Sequence, residues 1–364
     1  MFKIRTTLGW MTLIASMGGA RAAAQTPAPP ANDEPSIKIG AQIFLDYTVQ
    51  QQPKITDSDG NSVTLNQFQV GRSYINFLGT ISKTVSFRVT PDVTRQVDVA
   101  SSLNGNYVFR LKFAYAQWNL DDRVGKGSWA RFGQQPTPWL GFMDEVYRYR
   151  FQGQEFEERD GFMLSADAGA TFHYQVPRGY GDLHGGVYNG DGWQSAEAND
   201  QKGWMVRGTL RPAGAREGAL HGLRVSTFID RDFYVKKGDR FRTSVAITYE
   251  HKYVVAAFDH LVARDQASAN VTARSARGWS AWITPRTTKG LEGLLRYDQV
   301  EPNTALSSQR KKRTIGGVAY WFPRQSGITS ALLFDVDNLK FDGFPPSPAT
   351  ATQRKIAVHM LVNF

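Results

Sequence analysis

Residues 37–49 read IKIGAQIFLDYTV, and this stretch decides the fold class. Its hydrophobic residues occupy one face and its polar residues the other: Ile37, Ile39, Ala41, Ile43, Leu45, Tyr47 and Val49 against Lys38, Gln42, Asp46 and Thr48. The alternation lasts thirteen residues, whereas strands of soluble proteins usually have about five or six. A strand that crosses a bilayer at a tilt needs about 9–11 residues. The stretch therefore predicts a membrane-crossing β-strand with its polar face toward water.

The same period of two recurs along the chain up to its last residue, Phe364. Sixteen candidate strands lie near 37–49, 67–82, 84–98, 107–120, 128–136, 164–176, 181–190, 202–212, 220–231, 239–251, 253–265, 274–285, 290–300, 312–323, 328–340 and 356–364. Residues typical of tight turns separate several of them, and no stretch keeps a helical period. We therefore predict an all-β fold, a transmembrane antiparallel β-barrel of 16 strands over residues 37–364. A soluble secreted β-sandwich or propeller is the alternative.

In the strand near 107–120, the pattern predicts Phe109, Leu111, Phe113 and Tyr115 on the lipid face, opposite Arg110 and Lys112. Aromatic residues gather at the predicted strand ends, as in the interfacial girdles of membrane barrels. These residues are Trp118, Trp129, Trp139, Tyr147, Tyr149, Trp193, Trp204, Trp279, Trp282, Tyr320, Trp321 and Phe322.

The composition excludes several classes of protein. The chain has 364 residues, 43 Lys plus Arg, 33 Asp plus Glu, a formal charge of +10 and no cysteine. The lack of cysteine removes disulfide scaffolds, cysteine zinc sites and thiol catalysis. No apolar run in the body is long enough for a membrane-spanning helix.

Residues 1–24 have the three parts of a signal peptide. Lys3 and Arg5 are followed by the apolar run LGWMTLIASM, and Ala22, Ala23 and Ala24 provide small residues for cleavage after Ala24. The alternative, a membrane anchor, needs a longer apolar run. Residues 25–36, QTPAPPANDEPS, form a flexible Pro-rich lead-in. Export predicts a location in the outer membrane, with membrane lipid as a partner, and argues against nucleic acid as a partner.

Residues 135–165 interrupt the alternation and are dense in charge and aromatic rings. A loop of this length without its own secondary structure is usually functional. We expect it to fold inward and constrict the barrel, the alternative being an external surface loop. Its candidate constriction residues are Asp144, Glu145, Arg148, Arg150 and Arg159.

The sequence resembles the phosphate-selective porin O and P family of bacterial outer membranes. Four regions carry the resemblance: FQVGRSYINFLG at 68–79 with FRVTPD at 87–92, ARFGQQPTP at 130–138, EFEERDG at 155–161 with SADAG at 165–169, and YNGDG at 188–192. The resemblance implies a 16-stranded, homotrimeric outer-membrane porin with an anion-selective lumen. The amphipathic last strand ending in Phe364 resembles the signal read by the barrel-assembly machinery. One departure is that Gly71 precedes Arg72, where family members often have two arginines.

The sequence contains no pattern that indicates a catalytic site or a metal site. The six histidines are scattered without ligand spacing, and no Gly-rich loop precedes a helix. The adjacent carboxylates Asp144/Glu145 and Glu157/Glu158 are interpreted as solvated charges. We therefore expect no enzyme activity, no metal and no cofactor.

The water-facing positions of the first five strands hold six basic residues against two acidic ones. A basic wall inside a low-dielectric barrel concentrates anions. The candidate pore-lining and anion-binding residues are Arg72, Arg88, Arg110, Lys112, Arg131 and Asp92. We expect passive diffusion of small hydrophilic solutes with a preference for anions such as phosphate. A weakly selective general porin and a non-conducting structural or adhesive barrel stay open as alternatives.

Overall fold

The structure, a computed structural model, describes residues 34–364 and is a single closed barrel of sixteen antiparallel strands. The predicted signal peptide, and the lead-in up to residue 33, lie outside the described residues. The strands are β1 (Ser36–Thr56), β2 (Ser62–Thr80), β3 (Val85–Arg95), β4 (Tyr107–Asn119), β5 (Trp129–Pro136), β6 (Ala166–Val176), β7 (Gly181–Tyr188), β8 (Gly203–Leu210), β9 (Leu223–Val235), β10 (Gly238–His251), β11 (Val254–Asp265), β12 (Arg274–Pro285), β13 (Leu291–Glu301), β14 (Arg310–Trp321), β15 (Thr329–Asp342) and β16 (Gln353–Asn363).

Each strand pairs with its neighbours in the sequence, and β1 pairs with β16 to close the sheet. Ala41 and Phe364 exchange two backbone hydrogen bonds of 3.0 Å at the closure. The end of the barrel where β1 begins and β16 finishes is called the terminal end below, and the opposite end is called the loop end. The predicted 16-stranded antiparallel barrel is confirmed.

Side-chain exposure follows the predicted alternation in β1. Ile39 is 67% exposed on the outside, whereas Gln42 is 6% exposed on the inside. The strand is longer than predicted, because β1 and β2 continue beyond the alternating segment and pair as far as Thr56 and Ser62. Backbone pairing in this hairpin does not need an apolar face, so its extension left no signal in the hydrophobic pattern.

The predicted lipid face of β4 is wrong in its second half. Phe109 and Leu111 are exposed on the outside, but Phe113 and Tyr115 are buried inside the barrel. The register shifts here, since Thr90 pairs with Phe113 while the next residue, Pro91, pairs with Leu111. Lys112 is therefore the extra residue of a β-bulge, which turns the following side chains to the other face.

The barrel interior is divided between an apolar side and a polar side. From β11 to β16 the inner face carries small and apolar side chains that are buried: Val255, Ala257, Leu261, Ala263, Ala276, Trp282, Leu294, Val300, Ile315, Ala319, Trp321, Ala331, Leu333, Ala357 and Leu361. From β2 to β10 the inner face carries most of the arginines. The side from β11 to β16 thus offers a packing surface, but it also holds buried charged residues, among them Glu292, Arg296 and Asp298.

Two short helices lie between β5 and β6, α1 (Pro138–Val146) and α2 (Phe156–Arg159). The expectation of a loop without its own structure is therefore wrong, because α1 has only nine residues, too few to show a clear helical period. Within residues 34–364, no helix has the length and apolar character needed to cross a bilayer.

The alternation makes a labelling prediction that suits a chain without cysteine. Arg224→Cys, on the inner face of β9, should react with a membrane-impermeant thiol reagent in vesicles, because its side chain contacts lumenal water. Ile229→Cys, 41% exposed on the outer face of the same strand, should be protected by lipid. Labelling at 229 but not at 224 would reverse the assignment of the two faces.

Candidate pore constriction

The segment between β5 and β6, residues 137–165, folds into the barrel and is called the constriction loop below. Pro138 occupies the first turn of α1, where its missing N–H breaks no helical hydrogen bond. Trp139, Leu140, Met143 and Val146 of this helix are 1% exposed or less. The inward folding predicted from the sequence is therefore observed, and α1 is embedded within the barrel.

Aromatic contacts join the constriction loop to opposite sides of the barrel. Their ring centroids lie 5–7 Å apart, close enough for favourable edge or tilted contacts. Trp139 meets Phe228 of β9 at 5.6 Å, Tyr147 meets Trp282 of β12 at 5.2 Å, Tyr149 meets Trp321 of β14 at 5.8 Å, and Phe151 meets Phe44 of β1 at 6.5 Å. These contacts hold the loop across the lumen.

Six residues assigned from the sequence to aromatic girdles are instead buried inside: Trp139, Tyr147, Tyr149, Trp193, Trp282 and Trp321. The Phe156 ring of the loop packs directly against the backbone of β12 at Gly278. Any side chain there would clash with the ring, since a Cβ at position 278 would lie only 2.7 Å from it. Composition alone does not distinguish rings that face lipid from rings that fill a lumen.

A buried ion cluster organises the loop internally. The Arg150 guanidinium lies 3.2 Å from Asp144, 3.8 Å from Glu155 and 2.5 Å from Glu158. Ser165 donates a hydrogen bond of 2.8 Å to Glu158, so the cluster also joins the two ends of the loop. These four charged residues are called the Arg150 cluster below.

The interpretation of Asp144, Glu157 and Glu158 as solvated is wrong, because each is at most 8% exposed.

The protonation of the Arg150 cluster follows from its surroundings. Burial and the neighbouring Asp144 raise the pKa of Glu155 well above its usual value, which favours its neutral form. Burial alone would also raise the pKa of Glu158, but Arg150 and Lys112 together hold it below its usual value. Lys112 belongs to β4, so a basic residue of the barrel wall stabilises an acidic residue of the loop.

Further ion pairs attach the loop to β13 and β14. Arg148 lies 3.1 Å from Glu292 and its guanidinium lies 3.5 Å from the ring centre of Trp321. Tyr149 donates a hydrogen bond of 2.7 Å to the same carboxylate. Arg159, another candidate constriction residue, pairs with Asp298 of β13. Arg148, Arg150 and Arg159 are thus anchors of the loop.

The structure brings four of the predicted wall residues together near the loop end. Asp92 is fully buried, 3.5 Å from Arg72 and 2.8 Å from Arg110. Lys112 donates a hydrogen bond of 3.0 Å to the Tyr74 hydroxyl, which also accepts one of 3.1 Å from Arg72. Two arginines share one carboxylate, so the group keeps a net positive charge. Arg110 is the most open of these side chains, at 33% exposure.

Arg88 and Arg131 lie closer to the terminal end, in register with β4 residues beyond the bulge. Arg88 and Arg131 are therefore separate from the group around Asp92. Arg88 is 2% exposed and donates to Thr90 and Asn76. Arg131 donates to Gln117 at 2.8 Å and stacks 3.7 Å from the centre of the Trp129 ring.

A second basic group, which we call the eyelet, includes residues that were absent from the predicted site. The group acts electrostatically on Glu145, the exposed carboxylate of α1, because Arg207 of β8, Arg224 of β9 and Arg131 each favour its ionised form. Burial within the barrel raises the pKa of Glu145, and the three arginines oppose that effect. Arg207 and Arg224 also lie 4.6 and 5.7 Å from the ring centre of Phe142.

The inward phase of β8 and β9 already placed Arg207 and Arg224 in the lumen. The candidate pore-lining residues named from the sequence all lie on β2 to β5, so they do not include Arg207 and Arg224, which lie beside α1. No group of three or more histidine or acidic residues between 34 and 364 has the arrangement of a metal site.

Comparison with known proteins gives structural matches only. No protein-family model matches the sequence, and no match is found among curated proteins. An anion-selective porin from Comamonas acidovorans superimposes with a TM-score of 0.61 at 10% identity, covering 91% of this chain and 100% of the porin.

Two further solved structures have a similar fold. The outer-membrane channel DcaP of Acinetobacter baumannii has a TM-score of 0.60 at 10% identity, covering 92% of this chain and 100% of DcaP. OmpF of Salmonella typhi has a TM-score of 0.59 at 13% identity, covering 89% of this chain and 97% of OmpF. At such identities the likeness shows the fold alone, a 16-stranded barrel like those of outer-membrane porins.

The buried Glu157 of α2 makes a pH prediction. Burial raises its pKa to about 7, although the Trp139 indole donates it a hydrogen bond of 2.8 Å. Unfolded, this carboxyl ionises near 4.5, so its contribution to stability is lost as pH rises from about 4.5 to 7. Glu157→Gln should therefore raise the heat-unfolding temperature more at pH 8 than at pH 5. The full effect is about 3 kcal/mol.

Glu217→Gln, at an exposed turn, is the control and should leave the pH profile unchanged. Profiles of Glu157→Gln and of the unmodified protein that stay parallel from pH 5 to pH 8 would show that Glu157 is ionised throughout.

Proposed function

We propose that this chain is an outer-membrane porin that allows passive diffusion of small hydrophilic solutes and prefers anions, including phosphate. The observation that carries the proposal is the eyelet, where Arg207 and Arg224 lie against Phe142 of α1 and, with Arg131, act electrostatically on the exposed Glu145 of the same helix.

The constriction loop narrows the passage. Asp182 of β7 pairs with Arg207, and Glu250 of β10 pairs with Arg224, whereas Arg131 forms no ion pair among the described residues, so the open side presents guanidinium groups to a passing solute.

The chemistry of the eyelet suits oxyanions. A guanidinium donates two parallel hydrogen bonds to a phosphate or carboxylate, and it is less strongly hydrated than an ammonium group. Inside a barrel wall of low dielectric constant, a cluster of like charges focuses potential along the passage. Stacking on Trp129 and Phe142 holds Arg131 and Arg207 in place, so little side-chain entropy is lost when a solute passes.

Location and assembly are part of the same proposal. A signal peptide over residues 1–24, a lead-in over 25–36 and a barrel domain over 37–364 would deliver the chain to the outer membrane. Outer-membrane proteins with this fold support that location, and one of them, OmpT of Vibrio cholerae, is described in a trimer form. A homotrimer, assembled through recognition of the last strand, is the arrangement that we propose.

One observation favours a second candidate, a non-conducting barrel. The constriction loop contacts β1, β9, β12 and β14, and its aromatic residues are buried. A loop packed on so many strands could fill the lumen. Single-channel recording in KCl separates the candidates, because a porin gives discrete current steps and a filled barrel gives none.

Selectivity should depend more on the eyelet than on the basic group near Asp92. The triple variant Arg131→Gln/Arg207→Gln/Arg224→Gln should lower the chloride-to-potassium permeability ratio about tenfold, measured as a reversal potential in a KCl gradient. Each charge contributes on the order of 1 kcal/mol at about 4 Å in water, and more in a confined pore.

The matched control is Arg72→Gln/Arg110→Gln/Lys112→Gln, which removes the same charge. Two charges are offset in each group, by Asp92 and Glu158 in the control and by Asp182 and Glu250 in the eyelet. The effect of the control should be smaller, because the eyelet lies against α1, where the loop narrows the passage. Both proteins should keep the heat-dependent gel shift of a folded barrel. A larger loss of selectivity in the control than in the eyelet variant would place the selective site near Asp92.

A further inference from the structure

The outer surface of the barrel carries a band of basic side chains near the loop end, on strands β9, β11, β12, β14 and β15. We call it the outer basic belt, and its members are Arg231, Arg264, Arg277, Arg310, Lys312 and Lys340. They point outward, since the adjacent positions in each strand, such as Asp230, Ala263 and Ala276, are at most 5% exposed on the inner face. The belt is therefore separate from the lumen.

The belt has more positive charge than its acidic neighbours offset. Asp239 lies 3.4 Å from Arg231 and 3.7 Å from Arg264. Glu301 lies 2.7 Å from Arg277 and 3.1 Å from Arg310.

In both cases two guanidinium groups share one carboxylate, so one positive charge in each group is not neutralised. These four arginine side chains are 42–55% exposed, so their remaining donors are open to the surroundings.

The pairing of Lys312 with Lys340 independently indicates that an anion binds at the belt. They are directly opposed partners in the β14–β15 ladder, although like charges at opposed positions destabilise a sheet. Asp342 contacts Lys312 at 2.6 Å and neutralises only one of the two. An anion that bridges both ammonium groups would remove the repulsion.

Aromatic rings mark where the belt meets the membrane. Trp279 is in register with Gln299, which is in register with Lys312, so the ring and the ammonium group share one row across the sheet. Trp279 packs 5.1 Å from Tyr297 and 6.1 Å from Phe258 on the side toward the terminal end. Outward aromatic rings of this kind lie at the level of lipid headgroups.

Beyond these rings, the outer face continues with exposed apolar residues, among them Ile283, Leu295, Val318, Phe334 and Val336. The order along the outer face is apolar, aromatic and then basic. The belt thus begins where acyl chains end and headgroup phosphates begin.

We propose that the outer basic belt binds the phosphate groups of lipids in the leaflet at the loop end of the barrel, with Lys312 and Lys340 sharing one phosphate. This inference rests on the outer-membrane location in the proposed function, but it does not depend on conduction. Basic residues at a membrane surface attract anionic headgroups, and arginine forks match phosphate oxygens. The apolar band next to the belt favours a lipid over a free anion as the ligand. Only a lipid can place acyl chains against Leu295 and Phe334 while its phosphate contacts the two lysines.

Native mass spectrometry of the detergent-purified protein tests this with dioleoyl phosphatidic acid, dioleoyl phosphatidylcholine and inorganic phosphate as probes. The unmodified protein should bind phosphatidic acid at least about tenfold more tightly than phosphatidylcholine. Lys312→Gln/Lys340→Gln should lose about tenfold in affinity for phosphatidic acid, and Lys312→Arg/Lys340→Arg should retain it. Lys252→Gln/Lys289→Gln, which alters exposed turns at the terminal end, is the matched control and should bind as the unmodified protein does.

Equal binding of phosphatidic acid by the Lys312→Gln/Lys340→Gln variant and the unmodified protein would overturn the proposal. So would displacement of the lipid by an equal concentration of inorganic phosphate, which would indicate a site for the free ion. A change of oligomeric mass in the variant with lipid binding intact would assign the belt to a contact between subunits. The reversal potential of the variant should be unchanged, so a failure here is distinguishable from a failure of the porin assignment.

Discussion

Arg150 is the residue on which the arrangement of the lumen depends. Its guanidinium is buried inside the barrel among Asp144, Glu155 and Glu158, and it joins α1 to α2. Removing one partner of such a buried group costs about 3–5 kcal/mol, because an uncompensated charge remains. Arg150 and Lys112 of the wall together hold the pKa of Glu158 below its usual value. The basic wall therefore has a structural role as well as an electrostatic one.

The loop lies across the barrel through two kinds of contact. Its rings pack on the apolar inner side and on Phe44 and Phe228, whereas its charged groups meet Glu292 and Asp298. Glu145 is left exposed toward the arginines of the eyelet. Arg207 and Arg224 also contact Phe142 of the loop, so the eyelet touches α1 through a ring as well as through charge.

The barrel could be predicted from the sequence because strand pairing is local and each membrane strand repeats the same two-residue period. The β4 bulge could not, since it depends on the pairing of Pro91 with Leu111 across two strands. The helix α1 is too short to show its period, and the burial of Glu157 and Glu158 depends on distant residues. Arg207 was correctly assigned to the inner face. Its position beside α1 follows from the path of the loop, which no local pattern records.

The central claim is that ions pass on the side of the constriction loop where Glu145 meets the eyelet. Single-channel current through Glu145→Cys, recorded before and after attachment of a bulky thiol reagent, tests it most directly. The account predicts that modification at 145 reduces the current by more than about half. It also predicts no change for Asp335→Cys, because that position is buried on the opposite inner side. Current that persists at full size after complete modification at 145 would contradict the account.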